Sequence, residues 1–123
     1  MDKAQALDEF WNSFGLPAYK QKTINPDAKL PYITYEVATG SLGDTLSLNA
    51  SIWYRTTSWK PLYEKANAIA QYLYEMEPVT KKIDGGRMYI TKGNPFTQEM
   101  DNEEDDSIRR LILAITVEFQ TAY

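Results

Sequence analysis

Two segments alternate between apolar and mostly polar side chains, and this alternation limits the fold more than any other feature. In residues 45–55 the even-numbered positions are apolar or aromatic, from Leu46 to Tyr54. In residues 108–119 the odd-numbered positions from Leu111 to Phe119 are all apolar. Successive side chains of a strand point to opposite faces of a sheet, so a period of two predicts strands with one buried face.

Two amphipathic helices are predicted to cover that buried face. Asp2 is followed three residues later by Gln5, a capping-box pattern, and apolar residues then recur at helical spacing as far as Phe14. Ser58 is the predicted N-cap of the second helix, which ends before Pro78. The apolar stripes are Leu7, Phe10, Trp11 and Phe14 in the first helix, and Leu62, Ala66, Ile69, Ala70 and Leu73 in the second.

The remaining chain predicts one more strand, a hairpin and two loops. Residues 32–39 are rich in β-branched and aromatic side chains and predict a strand, and Asp84–Gly85 predicts the turn of a short hairpin. Loops are predicted over residues 19–29 and 93–107. We therefore expect a single α+β domain over residues 1–123, with a mostly antiparallel sheet and two helices packed on one face.

Composition argues against most catalytic chemistry. The 123 residues include no His and no Cys, which removes the usual general base near neutral pH and the thiolate nucleophile. No phosphate-binding glycine loop and no carboxylate pair in a recognisable cleft is evident. We expect no catalytic residue, no cofactor and no metal site, and therefore not an enzyme.

The negative charge of the chain is concentrated in one short segment. The net charge is −4, but six acids fall within residues 99–106: Glu99, Asp101, Glu103, Glu104, Asp105 and Asp106. The run could be a metal site, a solvated loop or an interaction surface. It lacks the glycine of the EF-hand calcium loop. Without it the chain is nearly neutral, unlike a sequence-independent DNA-binding protein.

The stretch "IWYRTTSWK", residues 52–60, combines aromatic and basic side chains. Alternation assigns Ile52 and Tyr54 to the core and leaves Trp53, Arg55 and Trp59 open to three interpretations. They could stack nucleic-acid bases, contact another protein or simply pack within the fold.

No segment is typical of export or of a membrane span. The first 14 residues, "MDKAQALDEFWNSF", carry acids and lack an apolar core run, and no stretch approaches the roughly 20 apolar residues that cross a bilayer. The sequence predicts a protein that is made and used in the cytoplasm, with no membrane partner.

Five segments together resemble the tail-completion, or tail-terminator, proteins of long-tailed phages and prophages of Gram-positive bacteria. This family is similar to the lambda tail-terminator group. The segments are "LPYITYEV", "SIWYRTTSW", "KANAIAQYL", "GGRMYITKGNPFTQEM" and "DSIRRLILAITVEF", which span most of the chain in the same order. None is a catalytic motif, so the resemblance rests on their combination.

The resemblance implies a structural subunit of the virion neck that is assembled in the host cytoplasm. Such subunits form a homo-oligomeric ring, typically six-fold, on the end of the tail tube. The ring stops addition of tube protein and offers the surface that joins the head connector or stopper. DNA passes through it without sequence-specific binding. The alternatives are a head-side connector adaptor or stopper, and a small protein-binding domain with no phage role.

Alternation selects the residues that could hold such a ring together. Trp53, Arg55, Ile112 and Ala114 are predicted to point away from the core, and Trp59 lies at a helix start. These are the predicted interface residues. The acidic run, Glu99 to Asp106, is predicted to be a mobile loop that faces the DNA channel or a neighbouring ring.

Overall fold

The computed structural model describes residues 1–21, 28–37, 45–100 and 107–121. Two α-helices, a short 3-10 helix and six strands make up this part of the chain. They are α1 (Lys3–Trp11), the 3-10 helix (Asn12–Phe14), β1 (Ala18–Lys20), β2 (Tyr32–Tyr35), β3 (Thr45–Arg55), α2 (Lys60–Met76), β4 (Val79–Ile83), β5 (Gly86–Met100) and β6 (Ile108–Thr121).

The six strands form one sheet in the order β1-β2-β3-β6-β5-β4. Four of the five neighbouring pairs are antiparallel, and only β1 and β2 run parallel. The sheet is therefore mixed, and the predicted α+β domain with a mostly antiparallel sheet is confirmed. The two alternating strands, β3 and β6, pair with each other from Thr45↔Glu118 to Arg55↔Ile108.

The core lies between one face of this sheet and the two helices. All five alternating residues of β6 from Leu111 to Phe119 are fully buried, as the period of two predicts. They lie beside the buried residues of β3 and β5 in the same sheet and pack against the apolar stripes of the helices. The largest fully buried side chains are Trp11, Phe10, Phe119, Leu7, Ile33, Ile52, Leu62, Ile69, Leu73, Met88, Ile90 and Leu111.

Helix α1 begins with the predicted capping box. The Asp2 carboxylate accepts the Gln5 backbone N–H at 2.7 Å, and the Gln5 side chain accepts the Asp2 N–H at 2.9 Å. These two bonds satisfy backbone donors that a helix start otherwise leaves without partners. The 3-10 helix after α1 ends at Gly15. The φ of Gly15 is 84°, in the left-handed region that glycine adopts without steric cost.

Helix α2 begins one residue later than predicted. Trp59 is the N-cap and its side chain makes no capping bond, whereas the Ser58 hydroxyl accepts the Lys60 N–H at 3.2 Å. Ser58 thus satisfies a first-turn donor from just outside the helix. Lys65 joins α2 to the end of the first helical segment by donating to the Phe14 carbonyl at 2.7 Å.

Two predictions near the start of the sheet are wrong. Residues 19 and 20, predicted to lie in a loop, belong to β1, which pairs with β2 from Ala18↔Ile33 to Lys20↔Tyr35. Strand β2 ends at Tyr35, earlier than the predicted end at residue 39; the last two residues of that prediction, 38 and 39, lie outside the described part. A three-residue strand depends on pairing with a distant segment, so no local pattern marks it.

The loop predicted over residues 93–107 is also wrong in its first half. Strand β5 continues to Met100 and pairs with β6 from Thr97↔Leu113 to Met100↔Arg110. The pairing is interrupted between Lys92 and Thr97, where extra residues bulge out of the ladder. Pro95, which led to the loop assignment, lies within this bulge, where the ladder needs no N–H from it.

Candidate functional site

The sheet face that points away from the two helices is the candidate functional site, and we call it the open face. Its central part consists of the outward residues of β3 and β6. Trp53 and Ile112 of this set are only half-buried, and Ala114 is half-buried as well. The structure therefore brings Trp53, Ile112 and Ala114 together in the middle of this face, and Arg55 lies on the same face at the end of β3.

Trp53 is held in place by contacts on several sides. Its indole N–H donates to the Thr34 hydroxyl at 2.9 Å. The Arg110 guanidinium lies 4.8 Å from its ring centroid, a cation–π contact, and the Tyr32 ring lies 6.4 Å away. A fixed aromatic residue loses little conformational freedom on binding, which suits a contact surface.

These contacts extend into a ladder across four strands. Tyr19 of β1 packs edge-on against Tyr32 of β2, with ring centroids 5.8 Å apart. At the other end, Arg110 of β6 donates from Nε to the Ser51 hydroxyl at 2.9 Å, which leaves Ser51 only 4% exposed. Sequence reasoning found Trp53 but missed Tyr19 and Tyr32, because their alignment depends on the register of distant strands.

Beside the ladder, the β5 bulge arches over part of the open face and forms a cleft of about 240 Å³. We call it the amide cleft, after the carboxamide side chains that line it above an apolar floor. None of its described lining residues is charged. The residues that define it are Asn49, Asn94, Phe96, Gln98, Ile112 and Ala114.

Gly93 makes the arch possible. A Cβ atom at this position would lie 2.7 Å from the Ala114 carbonyl oxygen and 2.8 Å from its carbonyl carbon. Both are backbone atoms that cannot move aside without disturbing β6. The absence of a side chain at Gly93 therefore lets β5 approach β6 at the cleft.

The other two predicted interface residues lie away from the cleft. Arg55 is exposed at the end of β3 and donates to the Ser107 hydroxyl at 3.3 Å. Trp59 packs against the core from the helix side, next to Tyr63 and with Arg109 at 5.6 Å from its ring centroid. Trp59 thus belongs to a different surface from Trp53.

Arg109, at that same end of the molecule, has a buried Nε atom with no hydrogen-bond partner within the described part. Its Nη2 atom donates to the Thr57 carbonyl at 3.3 Å. This contact fixes the start of β6 to the segment before α2.

Glu99 does not belong to a loop, in contrast to the prediction. It lies in β5 opposite Leu111, and its carboxylate accepts the Tyr63 hydroxyl at 2.6 Å. This hydrogen bond to the carboxylate, together with partial burial, raises the pKa of Tyr63. The other five acids, Asp101, Glu103, Glu104, Asp105 and Asp106, lie outside the described residues.

The outer edges of the sheet carry features that discourage added strands. At β1, the Asn12 side chain accepts the Ala18 N–H at 2.9 Å and donates to the Ala18 carbonyl at 3.3 Å, so it occupies both groups. At β4, Lys81 forms a 2.6 Å ion pair with Glu9, and Lys82 is exposed. Charged and capped edges are a usual protection against edge-to-edge pairing. The open face is therefore a better contact surface than either edge.

Two negative findings concern the described residues alone. No group of three or more acidic, His or Cys side chains in residues 1–21, 28–37, 45–100 and 107–121 could hold a metal ion. In the same ranges, neither helix is both long enough and apolar enough for a membrane span.

No protein-family model matches this chain, and no curated protein matches it.

Proposed function

We propose that this chain is a structural subunit of a phage neck. In this proposal it forms a ring on the end of the tail tube, stops tube polymerisation and provides the surface for head–tail joining. The five segments that resemble tail-terminator proteins supply the role. The grouping of Trp53, Ile112 and Ala114 on one open sheet face is the observation that carries the ring contact.

The open face has the composition expected of a protein contact. Aromatic residues and arginine are enriched in protein interfaces, whereas lysine and acids are depleted in their centres. The open face carries Trp53 with Arg110 stacked on its ring. Charges do occur on this face, but the amide cleft at its centre has none in its lining. A surface of this kind supports self-association better than it supports binding of a phosphate backbone, which requires clustered cations.

A ring follows if the contact is heterologous, because one subunit then presents two different surfaces to its two neighbours and the contact repeats until it closes. The proposed assembly is homo-oligomeric and six-fold, on the model of the family it resembles. Tube protein lies on one side and the head connector or stopper on the other. The subunit has no catalytic role in this proposal, and it is located in the virion after assembly in the host cytoplasm.

Pull-down against tube protein and connector proteins from the same phage or prophage tests the role. We expect tube protein to be retained, and native mass spectrometry of the mixture to show a ring. Retention of portal-side proteins alone would favour the adaptor or stopper role. Retention of neither would leave a protein-binding domain with no part in the neck.

Substitutions on the open face test the contact. Trp53→Ala and Ile112→Asp should abolish ring formation and tail-length control, while Thr80→Asp on β4 should leave both intact. Chemical unfolding of each variant identifies any loss that comes from stability alone, because Trp53 also bonds to Thr34. If both open-face variants still form rings, the contact lies elsewhere.

A further inference from the structure

The open face also has a smaller depression, of about 60 Å³, which we call the charged depression after the two ionisable side chains in its lining. These are Glu36, which follows β2, and Arg110 of β6, and both are half-buried. Thr34, Ser51 and Ile112 are among the other residues that line it. The depression therefore carries one charge of each sign.

Neither charge has a partner of opposite sign among the described residues, and none of the ion pairs there includes Glu36 or Arg110. The Glu36 carboxylate makes no hydrogen bond in that part of the chain, and only its backbone N–H is bonded, to the Asn49 carbonyl at 3.1 Å. Arg110 donates from Nε to Ser51, which leaves its two Nη groups without a described acceptor. A half-buried charge of this kind has lost part of its hydration and gained no ion pair in return.

The two charges lie at diagonally opposite positions around Ser51. Ser51 of β3 is opposite Thr34 of β2 on one side and Ile112 of β6 on the other. Glu36 comes two residues after Thr34, and Arg110 comes two residues before Ile112. Because β2 and β6 are both antiparallel to β3, they run parallel to each other, and these two steps lead in opposite directions along the sheet. Ser51 therefore lies midway between the acid and the base.

This arrangement is complementary to itself. A second copy can be turned over about a two-fold axis that lies between the two faces, midway between Glu36 and Arg110. Its Arg110 then meets Glu36 of the first copy, and its Glu36 meets Arg110, because each surface of an isologous contact repeats the other. One contact thus forms two ion pairs. A purely acidic or purely basic partner would match one of the two charges and repel the other.

The face around these charges has the area and the side chains that a dimer requires. Strands β3, β5 and β6 contain 11, 15 and 14 residues. At about 3.3 Å per residue and about 4.8 Å between strands, these three strands alone present roughly 600 Å². The three shorter strands bring the face close to the roughly 800 Å² that each partner of a standard interface buries. Trp53, with Arg110 at 4.8 Å from its ring centroid, and Ile112 supply apolar area next to the charges.

We infer that two copies of this chain form an isologous dimer through their open faces, in which Glu36 of each copy pairs with Arg110 of the other. The pairing itself needs no tube protein. The dimer covers the face that carries the proposed ring contact, so its role in assembly rests on the proposed function. A subunit in the dimer has no open face left for a ring. The dimer is therefore the resting form of the free subunit, and it dissociates as the ring forms on the tube end.

Charge reversal tests the pairing, with sedimentation velocity of the chain alone as the measurement. We expect the unchanged chain to sediment as a dimer at micromolar concentrations. Glu36→Arg and Arg110→Glu should each weaken the dimer at least about tenfold, because each substitution creates two like-charge contacts across it. An equimolar mixture of the two variants should restore the dimer, because every contact across the mixed pair again joins opposite charges.

Two further variants control for folding and for general charge. Glu36→Gln changes a side chain that bonds to no described residue, so it should keep the free energy of unfolding in urea and still weaken the dimer at least about tenfold. Arg87→Glu makes the same change of charge as Arg110→Glu on an exposed residue of the same face, opposite Gln120 at the other end of β6. It should dimerise like the unchanged chain.

The outcomes distinguish the dimer from the neck role. An unchanged chain that is monomeric, or a mixture of Glu36→Arg and Arg110→Glu that stays monomeric, would overturn the dimer, and retention of tube protein would still support the neck role. Equal losses from Arg110→Glu and Arg87→Glu would overturn the specific pairing. On tube protein, Glu36→Gln should form the ring as the unchanged chain does, and loss of that ring would overturn the resting form. A dimer that retains neither tube protein nor connector protein would leave the pairing valid and the neck role wrong.

Discussion

Tyr35 combines burial with a short hydrogen bond to a charged partner. Its hydroxyl donates to the Asp8 carboxylate at 2.6 Å and ties β2 to α1. Burial, then this bond and the negative charge of Asp8, raise the pKa of Tyr35 well above its ordinary value. Burial likewise raises the pKa of Tyr54, with a smaller contribution from Glu64.

Stability should therefore decline in alkaline solution. A tyrosine whose pKa is raised on folding contributes fully below its unfolded pKa of about 10, and loses that contribution as pH rises toward the folded value. We expect the free energy of unfolding in urea to fall above about pH 10, and Tyr35→Phe to reduce the slope of that fall.

At neutral pH, Tyr35→Phe should lower the free energy of unfolding by about 1.5–3 kcal/mol, because it removes a hydrogen bond to a charged group. Tyr72→Phe is the control, since Tyr72 is half-buried and its hydroxyl bonds to no described residue. It should change stability by less than about 0.5 kcal/mol. Equal effects of the two variants would contradict the role of the Asp8 bond.

Gly93 is the residue on which the shape of the amide cleft depends. Gly93→Ala places a methyl group against the Ala114 backbone and should cost about 1–3 kcal/mol in urea unfolding, as overpacking typically does. Asn94→Ala, next to it and exposed, should cost much less. A stable Gly93→Ala variant would show that β5 and β6 can separate here at little cost.

At the scale of elements, local patterns predicted the parts of the fold whose signals are local. Alternation identified β3 and β6, helical spacing and the capping box identified α1, and the Asp84–Gly85 turn joins β4 to β5 as predicted. The same alternation placed Trp53, Ile112 and Ala114 outside the core. These residues formed the predictable part of the candidate site.

The elements that were missed depend on distant partners. Strand β1 exists through pairing with β2 and through the Asn12 side chain, and the second half of β5 exists through a ladder that resumes after a bulge. Polar residues and Pro95 in that half resemble a loop in sequence. The amide cleft, which this bulge creates, was unpredictable for the same reason.

The acidic run divides into two parts that should respond differently to substitution. Replacing Asp101, Glu103, Glu104, Asp105 and Asp106 by Asn and Gln should change stability by less than about 0.5 kcal/mol, while raising aggregation of the free subunit. It should also impair head–tail joining or DNA passage. Urea unfolding, light scattering and tail-joining assays measure these effects.

Glu99→Gln is the comparison, because Glu99 bonds to Tyr63 within the folded domain. It should lower stability measurably without affecting aggregation. If the five-acid variant is instead the one that unfolds at a much lower temperature, those acids belong to a polar network of the folded chain.

At the scale of the whole molecule, the absence of His and Cys leaves oxygen ligands as the main means of holding a metal ion. We expect calorimetric titration with Ca²⁺, Mg²⁺, Mn²⁺ and Zn²⁺ to reveal no saturable site with a dissociation constant below roughly 10 µM. Structural metal sites bind far more tightly than this limit. A stoichiometric site that also raises the melting temperature would contradict both this prediction and the proposed non-catalytic role.

The sheet order has a consequence for how the chain acquires its structure. β6 is the last of the six described strands in sequence, yet it lies in the middle of the sheet between β3 and β5. Ser51 and Arg110, which meet across the central pair, are 59 positions apart. Such distant pairing slows folding, because loop-closure entropy is lost before the contacts form. We therefore expect the inner edges of β3 and β5 to stay unpaired until β6 inserts between them, and this insertion to complete the core.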